Sequence, residues 1–155
     1  MRSRMFVAAI VAACGISTGV HAQSQTLKQG EIANIKALTC TFPTSVVATW
    51  NNDGAPEPKV RPSGTLTLEI TEIAAADGSA VVAGKDVNVQ VYGWNIHFLE
   101  AGASGRMAIT TVFAQTSTGN KLKAVHSRTD YLPIDLPGFK SQPEVAQFYG
   151  DCEIK

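Results

Sequence analysis

The chain has 155 residues, with 13 Lys+Arg against 13 Asp+Glu, and 45% of it is hydrophobic. That length suits a single domain with one modest core. A net charge of zero with no basic stripe or tail gives a nucleic-acid backbone nothing to bind, so nucleic acid is not an expected partner.

The N-terminus reads "MRSRMFVAAIVAACGISTGVHAQS". Arg2 and Arg4 form a basic head, and an apolar run follows from Met5 to about Ile16. Val20 and Ala22 then occupy the small-residue positions of a signal-peptidase site. The expectation is a signal peptide over 1–22, cleaved before Gln23, with a single β-barrel domain over 23–155 and a periplasmic or secreted destination. The apolar run is short for a membrane span, which needs about 20 residues. No membrane association is expected after cleavage. Cys14 lies inside this run, where "AACG" imitates a lipoprotein signal. Loss of Arg2 and Arg4 leaves 11 Lys+Arg against 13 Asp+Glu, a net charge of −2. Two cysteines remain, Cys40 and Cys152, and an even count in an exported chain predicts a disulfide between them. Two free buried thiols are the alternative.

Residues 23–34 are polar and read as a lead-in. Strands are predicted near 35–42 and 45–50, with Pro43 breaking the run between them. "NNDGAPEPKVRPSG" at 51–64 holds three prolines and two glycines and reads as a loop. "TLTLEITEI" then alternates, with Leu66, Leu68 and Ile70 on one face and Thr65, Thr67, Glu69 and Thr71 on the other. Asp77-Gly78 marks a turn, "AVVAG" a short strand and "KD" a tight link. "VNVQVYG", "WNIHFLE", "RMAITTVFAQT" and "KLKAVHSR" read as further strands, separated by Gly93, "AGASG" and "STGN". The stretch after 129 shows no strand pattern. It reads as a flap that Cys152 tethers to Cys40, with "PEVAQFYG" as one short helical turn.

Seven or eight short strands joined by short turns define an all-β protein. Consecutive strands lie side by side as a meander, and closure protects the edges. The predicted fold is therefore a small antiparallel meander β-barrel, lipocalin-like or a curled sheet, with a disulfide-pinned C-terminal tail. An open sandwich is the competing arrangement.

Little in this pattern assembles a reaction. His97 lies on the face opposite Ile96 and Phe98, and His126 shares parity with Leu122 and Ala124. No Asp, Glu or Cys stands two residues from either histidine, so neither a metal nor any other cofactor is expected. Ser127 adjoins His126 but faces the other way, which works against a proton relay. Glu100 sits near a strand end, where it can face a cavity, but a lone carboxylate is not a glycosidase pair. Arg106 and Arg128 stand at strand ends, where a guanidinium can clamp a carboxylate of a ligand or of Asp130. Tyr92, Trp94 and Tyr131 are candidate mouth residues. The candidate ligand-binding set is thus Tyr92, Trp94, His97, Phe98, His126, Arg128 and Tyr131.

The order "HFLE", glycine turn, "TTVFA", "KAVHSR" and "YGDC" resembles that of small exported bacterial proteins of unknown function, over roughly residues 90–153. In outline the barrel is also similar to lipocalin-like domains, which hold small molecules inside. Their Gly-x-Trp lies on the first strand, whereas "YGW" here falls at 92–94, in mid-domain. The function this reading favours is a non-enzymatic exported binding module for a small apolar or aromatic ligand. The alternative is an envelope protein-binding role, such as inhibition of a hydrolase or protease, through the 51–64 loop or the 129–151 flap.

Overall fold

A computed structural model describes residues 26–50, 54–102, 105–131, 135–136 and 139–155. The expected signal peptide lies outside the described residues, as does Cys14.

Eight antiparallel strands close into a barrel in the order β1-β10-β7-β6-β5-β4-β3-β2. They are β1 (Leu38–Thr49), β2 (Glu57–Ala74), β3 (Ser79–Val82), β4 (Lys85–Tyr92), β5 (Asn95–Ala101), β6 (Met107–Thr116), β7 (Leu122–Asp130) and β10 (Glu144–Ile154). Two-residue strands β8 (Asp135–Leu136) and β9 (Phe139–Lys140) pair with each other between β7 and β10. The fold class agrees with the meander barrel read from the sequence. Closure is made by β1, which pairs with β2 on one side and β10 on the other. Cys40 and Cys152 are direct partners across that closing seam and form the expected disulfide.

Alternation sorts the side chains. Leu38, Cys40, Phe42, Leu68, Ile70, Val89, Ile96, Phe98, Val112 and Leu122 are buried in one cluster inside the barrel. Their neighbours in sequence, among them Thr67, Glu69, Asn88, Gln90 and Lys123, are exposed on the outside. An eight-stranded barrel is just wide enough for such side chains to fill it.

Several local expectations are corrected. Pro43 does not split the first strand, because the chain bulges between Thr41 and Thr44 and β1 runs through. A bulge accepts a residue that cannot donate to the ladder. Gly150 lies beside this bulge, where a Cβ would meet Phe42 Cα at 2.8 Å and overlap the Thr41 carbonyl oxygen. The supposed loop over 51–64 is strand from Glu57 onward, paired with β1 from Thr44 to Thr49. Its prolines are tolerated because, among the described residues, the stretch from Glu57 to Pro62 pairs with β1 and β3 joins β2 only from Ile70. The β3–β4 link is Ala83-Gly84 rather than "KD". Both residues take positive φ, 48° and 79°, as a tight two-residue hairpin turn requires. Ile73 is buried despite its odd parity with Ile70, because β2 bulges between Thr71 and Ala74, with Glu72 at φ 53°. The C-terminal flap is, from Glu144, a full barrel strand, and "PEVAQFYG" is extended rather than helical.

The lead-in is also structured. A single helical turn, α1 (Gln29–Ile32), carries Ile32 into the core, followed by Ile35. Backbone hydrogen bonds tie this segment to β6 (Leu27 N to Ala114 O, 2.7 Å), β2 (Ile73 N to Lys36 O, 3.1 Å) and the chain end (Lys155 N to Ala37 O, 3.2 Å). All three contacts lie at the end of the barrel where β1 begins. That end is therefore plugged.

Candidate functional site

The opposite end of the barrel, where β5 and β7 finish and β4 and β6 start, holds a cavity of ≈220 Å³. Its walls include Leu68, Lys85, Glu100, Ala108, His126 and Arg128, with Arg106 on the rim. Pairing explains the convergence. Glu100 on β5 faces Ala108 on β6, and Ala108 faces Arg128 on β7. One rung deeper, Phe98 faces Thr110 and Thr110 faces His126. Each step of two residues along a strand keeps the side chain inward. Glu100 and Arg128 thus stand one rung above Phe98 and His126.

His126 is buried, only 6% exposed. Its Nδ1 is hydrogen-bonded to Thr110 Oγ1 at 2.9 Å. The rings of Phe42 and Phe148 flank it at 6.0 and 5.7 Å. Burial, and then the nearby Arg128 charge, lower its pKa, so the imidazole is held neutral. Arg128 lies over the Phe148 ring at 5.8 Å and donates from Nη2 to Glu144 Oε1 at 3.2 Å. Its Nε is buried, with no hydrogen-bond partner among the described residues. Glu100 is half-buried. Desolvation raises its carboxyl pKa, and Lys85 opposes that shift. On the rim, Arg106 donates from Nε and Nη2 to Asp130 Oδ2 at 2.9 and 2.7 Å.

The candidate residues divide accordingly. Phe98, His126 and Arg128 are brought together inside the barrel. His97 is on the outer wall, bonded through Nδ1 to Thr111 Oγ1 at 3.0 Å, within a shallow groove with Tyr92, Leu99 and Ile109. Tyr92 and Trp94 flank the β4–β5 turn at the plugged end and are 80% and 53% exposed. They do not line the mouth. Tyr131 is at the open end, 49% exposed, with its carbonyl beside Gly105. The mouth walls Leu68, Lys85 and Ala108 and the His126 partner Thr110 were not picked out from the sequence. Glu100 was weighed as cavity-facing but left outside the candidate set. Strand parity carried the signal: Glu100 shares it with Phe98, and Ala108 and Thr110 share it with Val112.

Among the described residues, no group of three His, Cys, Asp or Glu side chains could hold a metal ion. Nor is any described helix long and apolar enough to cross a membrane. The closed antiparallel barrel resembles lipocalin-like barrels in outline. No protein-family model matches the chain, and no curated protein or solved structure matches it.

Proposed function

We propose that this protein is an exported, non-enzymatic binding module that seats one small ligand in the open mouth of its barrel. The observation that carries the reading is the convergence of Glu100 from β5 with His126 and Arg128 from β7, the strands on either side of β6, around one cavity above a filled apolar floor. A rigid sheet presenting a few polar groups beside apolar ones is the usual form of a small-molecule site. At ≈220 Å³ the space is below the roughly 300–1,000 Å³ of pockets for drug-sized molecules, which favours a small metabolite. Leu68 and Ala108 offer the apolar contact, with Phe98 deeper in the same barrel. A non-enzymatic role is supported by Ser127 facing away from His126, and by Asp130 and Glu144 being held in ion pairs. Export is supported by the tripartite N-terminus and by the Cys40–Cys152 bridge, since disulfides persist in oxidising compartments. An apolar interior under a polar exterior is the reverse of a membrane-spanning barrel, which supports a protein free of the membrane.

A second reading rests on the β1–β2 ribbon. Residues 57–61 are exposed, and Val60, 73% exposed, lies on the part of β2 that pairs with β1 but, among the described residues, not with β3. Such a projecting rim suits contact with an envelope hydrolase or protease, as an inhibitor makes. Pro58 and Pro62 lack the N–H that an added strand would use, so contact there would be through side chains.

Native mass spectrometry of protein purified from its own host separates the two. A retained small molecule supports the binding module. An empty monomer that captures an envelope hydrolase overturns it in favour of the ribbon. The same spectra test export: a chain starting near Gln23 is expected, and an intact Met1 or a lipid on Cys14 rejects processing.

A further inference from the structure

We infer that the mouth is a receptor for a small monocarboxylate, whose carboxylate accepts hydrogen bonds from the Arg128 guanidinium and His126 Nε2 while its apolar body rests on Leu68 and Ala108. This rests on the small-ligand reading and specifies the ligand class.

Three features carry it. The first is the Arg128 guanidinium, which lines the cavity and is only partly engaged. Glu144 takes Nη2, and Nε, itself shut off from solvent, has no hydrogen-bond partner among the described residues. A guanidinium fork short of acceptors is costly to bury and is shaped for carboxylate oxygens. The second is His126. With Nδ1 engaged by Thr110, its other ring nitrogen has no protein partner among the described residues. In the tautomer where Nδ1 accepts from the Thr110 hydroxyl, Nε2 carries the proton and is a donor. Two donors from one strand, two residues apart on the same face, suit an anionic acceptor better than a cation.

The third feature is charge. Around the mouth, β4 supplies Lys85, the approach to β6 supplies Arg106, and β7 supplies Arg128. Against them stand Glu100 from β5, Asp130 from β7 and Glu144 from β10. Of β2, Leu68 is uncharged, and Glu57, Lys59 and Arg61 are exposed on the β1–β2 ribbon, where Lys59 pairs with Glu57. Among the described residues that line the cavity or pair with its lining, three cations therefore stand with three carboxylates, and a dianion such as phosphate is poorly matched. A monoanion leaves one charge in excess, and a single proton cancels it. Glu100 is the group that takes this proton, because it is half-buried and has no hydrogen-bonded cation among the described residues. Asp130 and Glu144 each accept from an arginine. Desolvation already favours the protonated form of Glu100, and a second carboxylate beside it favours that form further. Protonated Glu100 also gains an O–H to donate to the ligand. Binding is therefore coupled to proton uptake, and affinity rises as pH falls. Protonation of His126 at lower pH acts in the same direction.

Calorimetric titration of the purified protein with benzoate, benzamide and inorganic phosphate tests this, with the His126 imidazole nitrogens followed by NMR. Saturable benzoate binding that weakens from pH 6 to pH 8, shifts the His126 Nε2 resonance and is not matched by benzamide is expected. Arg128→Lys keeps the charge but removes the planar fork, and should weaken benzoate about tenfold or more. Glu100→Gln removes the carboxylate repulsion. It should raise affinity at pH 8 and flatten the pH dependence, a change that a merely structural role would not produce. Equal binding of benzamide, preference for phosphate, or a Glu100→Gln profile that still follows the wild type each overturns the inference. So does the absence of saturable benzoate binding with an unmoved Nε2 resonance. If neutral benzamide alone binds at the mouth, the carboxylate class falls while the small-ligand reading stands.

Discussion

The two ends of this barrel are built from the same strands and differ in what fills them. At the plugged end, Ile32 and Ile35 close over Leu38, Ile73 and Ile96, and the segment carrying them is stitched to three strands by backbone hydrogen bonds. At the open end the same inward parity delivers Glu100, His126 and Arg128. The disulfide belongs to the first region. Cys40 lies two residues from the start of β1, while the far end of the same seam, Thr49 opposite Glu144, has no covalent link. Stability is therefore concentrated where the interior is filled by apolar side chains. The mouth keeps half-buried charges that a filled core would exclude.

Breaking the seam is the strongest test of this asymmetry. The bridge spans 112 residues, and on the chain-entropy model its loss costs about 4–5 kcal/mol. A Cys40→Ala/Cys152→Ala variant should lose stability on that order in denaturant titration. Hydrogen exchange should show the largest loss of protection at Leu38 to Thr41 and Leu122 to Ala124, and a smaller one at the mouth. Equal loss at both ends would remove the distinction. The plug comes next. Ile32 is fully buried, so Ile32→Ala should cost about 2–4 kcal/mol in transfer and cavity terms. A cost below about 1 kcal/mol would mean that α1 merely rests on the barrel. At the mouth, Arg106→Ala removes a rim ion pair whose arginine side chain is half-exposed, and stability should change by less than about 1 kcal/mol.

The difference between the ends also explains what was legible in the sequence. Period-two alternation made Leu66 to Ile70 and Val87 to Val91 readable as half-buried strands, and short turns made the meander readable. The even cysteine count gave the bridge. Three things were not legible, each for a physical reason. Pro43 and Glu72 sit at bulges, where one extra residue hides the continuity of a strand. The prolines of 57–62 looked like a loop because propensity does not record that an edge strand needs only one set of partners. And the strand Glu144–Ile154 is built on "AQFYGD", whose pattern is blurred by Gly150, a residue that the Thr41 carbonyl and Phe42 leave no room to enlarge. For the site, parity placed Phe98 and His126 on inward faces, but it could not say which end of a strand reaches open space. Tyr92 and Trp94 were therefore assigned to a mouth that lies at the other end.

The smallest expected effect concerns protons, and the two inward titratable groups act with opposite sign. Burial raises the Glu100 pKa from its ordinary 4.5, so the folded state holds this proton more tightly than the unfolded chain. The stability gained from that preference is complete below 4.5 and is lost as pH rises through the folded-state value. Glu100→Gln should therefore become progressively more stable than wild type above about pH 4.5, by less than about 1 kcal/mol because solvent screens a half-exposed carboxylate. Burial lowers the His126 pKa from 6.5, so here the unfolded chain binds the proton first. That contribution is present above 6.5 and is lost as pH falls through the folded-state value. A His126→Gln variant should lose less stability than wild type between pH 7 and pH 5. Thermal melts of the three proteins across pH 4 to 8 test both signs. The mouth accounts for them only if Glu100→Gln gains on wild type as pH rises and His126→Gln gains on it as pH falls. If both variants gain in the same direction of pH, one group does not sit in the environment described.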